Sequence, residues 1–286
     1  MEDLHTHTIV SDGEFYPEEL VKLASSSGVK KLSITDHDSI GAYKLFPQVF
    51  DLAKKLNVEL ITGCEFDADY KGVEVHILGY NLDITNKDLN EYLSQIQEKR
   101  REKLLLQIEK INEYFKREVL VKDEIFIKER ETFMKPHIVR PIIKLMNFDD
   151  YPSAAKWVRE VAHVDVKVPK MSSSFIIDLI KMCGGIPVLA HPGYYIVESG
   201  FKVDRLIKDF VDMGIEGIEV EYRYHGTSKY FRRKKDELDM IKKLHEEAVK
   251  YKLLETRGSD AHVKDDFLTF NSRSYLWDFI ENLKTY

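Results

Sequence analysis

His5-Thr6-His7 sets two imidazoles two positions apart near the start of the chain. On a strand, such residues leave the same face, so one rigid element could give a metal ion two nitrogen ligands. The pair gains weight from the other histidines and carboxylates. Asp12 sits in Ser11-Asp12-Gly13, and Asp36 and His37 in Ile34-Thr35-Asp36-His37-Asp38. Glu65 follows Gly63-Cys64, His76 lies in Val75-His76-Ile77, and His191 in Ala190-His191-Pro192. Glu219 and His225 frame Val220-Glu221-Tyr222-Arg223-Tyr224, and Asp260 and His262 close Gly258-Ser259-Asp260-Ala261-His262. Nitrogen with carboxylate oxygen suits zinc, manganese or iron, and no cysteine cluster points to a structural zinc site. A carboxylate such as Glu65 can bridge two ions. Ions roughly 3.5–4 Å apart can share a hydroxide and clamp an in-line displacement at phosphorus.

These residues need strands to deliver them to one rim. Asp3 to Thr6 reads as a first strand and Pro17 to Ser27 as a helix, with proline and acids in its first turn and Gly28 as its stop. Lys31 to Thr35 is a second strand, Ile40 to Leu56 a helix, and Val58 to Ile61 and Val73 to Leu78 further strands. From about Asn86 to Lys116 a long helix carries Leu89, Leu93, Ile96, Leu104, Ile108, Ile111 and Phe115 at roughly helical spacing. More helical segments cover Ile138 to Met146 and Ser153 to Ala162. Alternation resumes with a helix over Ser174 to Met182, a strand over Ile186 to Ala190, a helix near Asp204 to Met213 and a strand over Ile215 to Glu221. A helix from about Ser228 to Tyr251, a strand near Lys252 to Thr256 and a helical segment over Tyr275 to Leu283 complete the chain. The pattern predicts an α/β fold: residues 1–82 and 172–286 form a parallel sheet or barrel of seven strands, and 83–171 an inserted helical subdomain. Each core strand then delivers a candidate ligand at or near its C-terminal end, where barrels build active sites.

At 286 residues and 43% apolar content the chain can bury a large core. A net charge of −6 gives no global attraction to nucleic acid or an anionic membrane. The basic run Lys229 to Lys235 reads as a solvated helix face, with polyanion steering as its alternative. Two cysteines, Cys64 and Cys183, fit a reducing compartment and pack as small apolar groups. With no apolar run long enough to span a bilayer and no signal-peptide pattern, a cytoplasmic protein without an obligate protein partner is expected. His163 and His245 read as ordinary residues, and Asp38 as a loop-turning one.

Asp3-Leu4-His5-Thr6-His7-Thr8, Ser11-Asp12-Gly13, Thr35-Asp36-His37-Asp38, Gly63-Cys64-Glu65, Val75 to Tyr80, Ala190-His191-Pro192 and Gly258 to His262 together resemble the PHP (polymerase and histidinol phosphatase) superfamily. The resemblance covers both core segments in the family's order. It implies a distorted seven-stranded β/α barrel and a metal-dependent phosphoesterase. The branch it resembles includes 3′,5′-nucleoside-bisphosphate phosphatases that also trim short RNA from its 5′ end. It implies two to three divalent ions. His5, His7, Glu65 and Asp260 would hold the first; Glu65, His76 and His191 the second; Asp12, His37 and His262 the third. Asp12 favours the nucleotide branch, because the histidinol phosphatases tend to have histidine there. Lys135-Pro136-His137-Ile138-Val139-Arg140 matches a family pattern that usually opens with arginine, so Lys135 is a departure: lysine is a point charge where arginine grips phosphate bidentately.

The expected enzyme hydrolyses a phosphate ester of a nucleotide or short oligonucleotide by attack of a metal-bridging hydroxide. Asp260 would accept the water's proton, and Arg140 and His225 would offset phosphate charge. His225 or a metal-bound water would protonate the leaving group, and Lys135 and His137 complete the substrate contacts. The alternatives are a phosphatase of another small monoester such as histidinol phosphate, and a non-catalytic metal-binding module.

Overall fold

The computed structural model describes residues 1–225 and 230–272. The expected helix over Tyr275 to Leu283 and the first residues of the one expected from Ser228 lie outside them. The chain opens with β1 (Glu2–Asp3), α1 (Pro17–Ser26), β2 (Lys31–Ile34), α2 (Gly41–Lys44) and α3 (Gln48–Lys55). The single helix expected over Ile40 to Leu56 is therefore two. The break falls at Phe46-Pro47, where a proline disfavours helical backbone in the residue before it.

Next come β3 (Glu59–Tyr70) and β4 (Val73–Tyr80). The sequence pattern ended the third strand at Ile61, but it runs nine residues further, through Glu65 and Asp67. Acids at alternate positions hide its periodicity. Lys71 (φ 54°) and Gly72 (φ 80°) join the two strands. Two consecutive positive φ values make the tight hairpin turn that matches strand twist. β4 therefore runs antiparallel to β3, so the expected all-parallel order fails at this strand.

The inserted helices are α4 (Lys87–Phe115), α5 (Lys122–Ile125), α6 (Pro136–Met146) and α7 (Tyr151–Val161). The Asn86 side chain caps α4 by accepting from Leu89 N–H at 3.1 Å. Leu89 and Leu93 pack into the main core, whereas Leu104, Ile108 and Ile111 share a second core with Ile138, Val139 and Val158. One long helix thus belongs to both.

The rest is β5 (Met171–Ser172), α8 (Ser173–Met182), β6 (Ile186–Leu189), α9 (Pro192–Ser199), α10 (Val203–Asp212), β7 (Gly217–Tyr222), α11 (Lys234–Tyr251), β8 (Leu254–Gly258) and α12 (Lys264–Asn271). Neither α9 nor α12 was anticipated. The sheet order is β1-β2-β3-β4-β6-β7-β8, with β5 attached to the far half of β3. Residues after β1 lie along β8: Leu4 N–H donates to Arg257 O (2.9 Å), Asp260 N–H to His5 O (2.8 Å) and His7 N–H to Ala261 O (3.0 Å). These bonds close a distorted seven-stranded barrel. Leu4, Leu78, Tyr80, Val188 and Ala190 fill its interior beneath the site.

Candidate metal centre

The closure that seals the barrel also builds the site. His5 and His7 emerge where the first strand meets β8, and both are fully buried. Gly258 lies against His5: a Cβ there would sit 2.3 Å from His5 Cβ and 2.2 Å from Glu219 Oε1, so only glycine fits. Glu65 and Asp67 alternate along β3 and share a face, and Asp67 is directly opposite His76 on β4. His191 and Asp260 occupy left-handed backbone, at φ 29° and 52°. Such conformations cost of order 1–3 kcal/mol and persist where surrounding structure holds them.

Glu65 is the hub. Its Oε2 lies 3.2 Å from His5 Nε2, 3.3 Å from His7 Nε2 and 3.2 Å from His37 Nδ1. Its Oε1 lies 2.7 Å from His76 Nδ1 and 3.1 Å from His191 Nε2. Asp260 Oδ1 is 2.9 Å from His7 Nε2, and Asp12 Oδ1 is 3.2 Å from His262 Nε2. Ligand atoms of His5, His7, Glu65 and Asp260 lie within 4.8 Å of one another, as do those of His7, Asp12, His37 and His262, and those of His37, Glu65 and His76.

His5 Nε2, both His7 nitrogens, Asp12 Oδ1, His37 Nδ1 and Glu65 Oε2 are buried with no hydrogen bond of acceptable geometry. Burying polar atoms without partners costs roughly 1–3 kcal/mol each. Their convergence from several strands fits divalent cations. Other groups fix the rings. His5 Nδ1 donates to Glu219 (3.1 Å) and His262 Nδ1 to Asp260 O (3.0 Å), turning each Nε2 toward the cluster. Glu219 also accepts from His191 N–H at 2.8 Å, and the Tyr195 hydroxyl lies 3.1 Å from His191 Nδ1. The Tyr222 hydroxyl donates to Asp260 Oδ2 at 2.7 Å, leaving Oδ1 to face the histidines.

The electrostatics match. Burial would raise Glu65, but His37, His5 and His76 outweigh it and hold the carboxyl well below its ordinary range. Burial would lower His37, yet Glu65 and Asp12 bring it up to about 9. Asp12 and Asp260 are likewise held well down by neighbouring histidines against the effect of burial.

The inserted helices grip the loops that carry ligands. Arg100 of α4 reaches Asp38 (2.6 Å) and Asp67 (2.7 Å). Gln97 Nε2 donates to Asp38 O at 2.9 Å, and Arg140 to Asp12 O at 2.9 Å. Asp36 accepts from Thr8 N–H, Thr8 Oγ1 and Ser11 Oγ at 2.6–2.7 Å, holding the loop before Asp12.

The expected substrate contacts fare unevenly. His137 Nδ1 accepts from Met134 N–H (2.9 Å) and its Nε2 donates to Ser11 O (3.0 Å), so both nitrogens are used within the protein. Burial, with Arg130 nearby, lowers its pKa to about 4 and keeps it neutral. Here it fastens the insertion to the Ser11 loop. Lys135 is exposed and lines a separate cleft beside Asp67 and Glu74. His225 donates its backbone N–H to Glu237 at 2.5 Å, and its ring joins none of the cluster's contacts among the described residues.

Sequence reasoning assigned no role to Asp67, Arg100, Tyr195 or Tyr222. The two-residue spacing of Glu65 and Asp67 was the available signal for one. The other three depend on contacts between distant segments.

A family model described as PHP domain matches residues 3–167. A 5′-3′ exoribonuclease from Haemophilus influenzae is 30% identical over 225 residues, 76% of this chain and 78% of that protein. A phosphoribosyl 1,2-cyclic phosphate 1,2-diphosphodiesterase from Eggerthella lenta is 28% identical over 275 residues, 92% of this chain and 95% of that one. The solved structure of an amidohydrolase from Chromobacterium violaceum superposes with a TM-score of 0.73 at 24% identity, covering 92% and 87% of the two chains, a likeness of fold. With this site, fold and extent of match, the chain belongs to the PHP domain family and is a phosphoric-ester hydrolase.

Proposed function

We propose that the chain hydrolyses a phosphate ester of a nucleotide or short oligonucleotide, using two to three divalent ions of manganese, iron or zinc. The observation that carries this reading is the convergence around Glu65 of buried histidine and carboxylate atoms that lie close together without hydrogen bonds of acceptable geometry. His5, His7, Glu65 and Asp260 form the first position; Glu65, His76 and His191 the second; Asp12, His37 and His262 the third. When bound, the ions supply Lewis-acid stabilisation of phosphate charge and activate a water at neutral pH.

The protein's own groups do the rest. With Tyr222 fixing its Oδ2, Asp260 offers Oδ1 as acceptor for the attacking water's proton. Arg140, anchored on Asp12 O, meets phosphate oxygens near the third position. His225, three residues beyond Tyr222, or a water at the site would protonate the leaving alcohol. The helical unit 83–171 covers the rim and excludes water. The exoribonuclease relative supports a nucleotide substrate, and the cyclic-phosphate relative supports cleavage of diesters by the same site.

The test is manganese-supported phosphate release from a nucleoside 3′,5′-bisphosphate and cleavage of a chromogenic phosphodiester. Activity on at least one is expected, with His5→Ala lowering it roughly 100-fold or more. If the metal-loaded protein hydrolyses neither substrate and the variant behaves identically, the reading fails.

A further inference from the structure

A cleft of about 620 Å³ opens beside the metal centre, within the roughly 300–1,000 Å³ usual for ligand sites. Asp67 and Glu74 line it where it borders His76, and Lys103, Lys135, Arg159 and Lys167 line it between α4, the start of α6, α7 and the segment leading to β5. Lys170 and Arg100 also reach it, but they pair with Glu74 and with Asp38 and Asp67. Among the described residues, no carboxylate lies within ion-pair distance of Lys103, Lys135, Arg159 or Lys167. This cationic surface stands out in a chain of net charge −6.

We propose that this cleft binds a phosphate of the substrate other than the one being cleaved. The proposal rests on the nucleotide-ester reading above and names the feature by which such substrates would be selected. The phosphate is either the second one of a bisphosphorylated mononucleotide or part of an oligonucleotide backbone. Both present the same chemistry, a dispersed anion that needs several cations with none already neutralised. Lys103 marks where it is wanted. It is half-buried, and burial together with Lys135, Arg100 and Lys170 lowers its pKa. Glu74 opposes these charges but is paired with Lys170, so the crowded lysines keep a positive potential that an arriving phosphate would relieve. The apolar wall of Leu104 and Val158 limits competing hydration.

The test compares wild-type protein with Lys103→Gln/Lys167→Gln. Binding of a fluorescent 5′-phosphorylated tetraribonucleotide is measured in EDTA, where turnover plays no part. Values of kcat/KM are measured with manganese for adenosine 3′,5′-bisphosphate, the tetraribonucleotide and p-nitrophenyl phosphate, which has only one phosphate. For each multiply charged substrate, the ratio of its kcat/KM to that for p-nitrophenyl phosphate cancels any loss of folded enzyme. A fall of about tenfold in that ratio is expected for at least one of them, with weaker and less salt-dependent RNA binding when the backbone is involved. A fall confined to the tetraribonucleotide identifies the backbone, and one confined to the bisphosphate identifies the second phosphate. Unchanged ratios for both substrates overturn the proposal. Wild-type protein that binds the RNA in EDTA but hydrolyses no nucleotide ester would instead defeat the functional reading and leave the anion site standing.

Discussion

At the scale of residues, the site is a balance between burial and opposite charge. Six histidines surround three carboxylates, and in Glu65, Asp12, Asp260, His5, His7, His37, His76 and His262 the preference of a buried group for neutrality is overridden by its neighbours. His37 shows the consequence for stability. Its folded pKa is about 9, raised from an ordinary 6.5, so its contribution to the metal-free protein is fully present below about pH 6.5 and is lost as pH rises through about 9. His5, His76 and His262 are shifted in the same direction. The melting temperature of EDTA-treated protein is therefore expected to fall by several degrees from pH 6.5 to pH 9. Manganese-loaded protein should fall less, because a bound ion takes the neutral imidazole. A metal-free melting temperature that stays flat or rises across this window would show that the histidines are not held charged by the acids.

At the scale of elements, the hairpin of β3 and β4 and the helix α4 do most of the positioning. The hairpin sets Glu65, Asp67 and His76 on one face. Helix α4 reaches back with Arg100 to the pair Asp38 and Asp67. Burial brings Asp38 up to about 6, with Arg100 opposing the shift and Asp67 adding to it. Removing the guanidinium leaves the buried Asp38 and half-buried Asp67 carboxylates facing each other, which costs about 3 kcal/mol. Arg100→Ala should lower the melting temperature markedly and speed protease cleavage within 83–171, and adding Asp67→Asn should restore part of the loss. Loss of less than about 1 kcal/mol would demote the contact to a surface ion pair.

The same elements show what was legible in the sequence. The ligand-bearing segments could be read because each carries its histidine or acid in a short fixed pattern beside a strand. The long helix could be read because its apolar residues recur at helical spacing and Asn86 caps it. The far half of β3 could not, since Asp67 and Asp69 break the apolar alternation. Nor could the direction of β4, which is set by the two-residue turn at Lys71-Gly72. Partners such as Tyr222 and Asp260 are 38 residues apart, and only the closed barrel brings them together.

At the scale of the whole molecule, barrel closure and assembly of the candidate metal ligands are one event. The hydrogen bonds that join the first strand to β8 also place His5 and His7 against Asp260. The insertion, by gripping the Ser11-Asp12 and Asp36 to Ser39 loops, ties its own folded state to the ligand geometry. No helix among the described residues is long and apolar enough to cross a membrane. The chain is a PHP phosphoesterase, and we propose that its centre turns on one shared carboxylate, Glu65. That claim is tested most directly by the metal content of manganese-loaded protein and its Glu65→Gln variant, measured by inductively coupled plasma mass spectrometry after removal of free ions. The account predicts two to three ions per wild-type chain and at most one in the variant. A wild-type chain holding one ion or none, or a variant retaining the full complement, would contradict it.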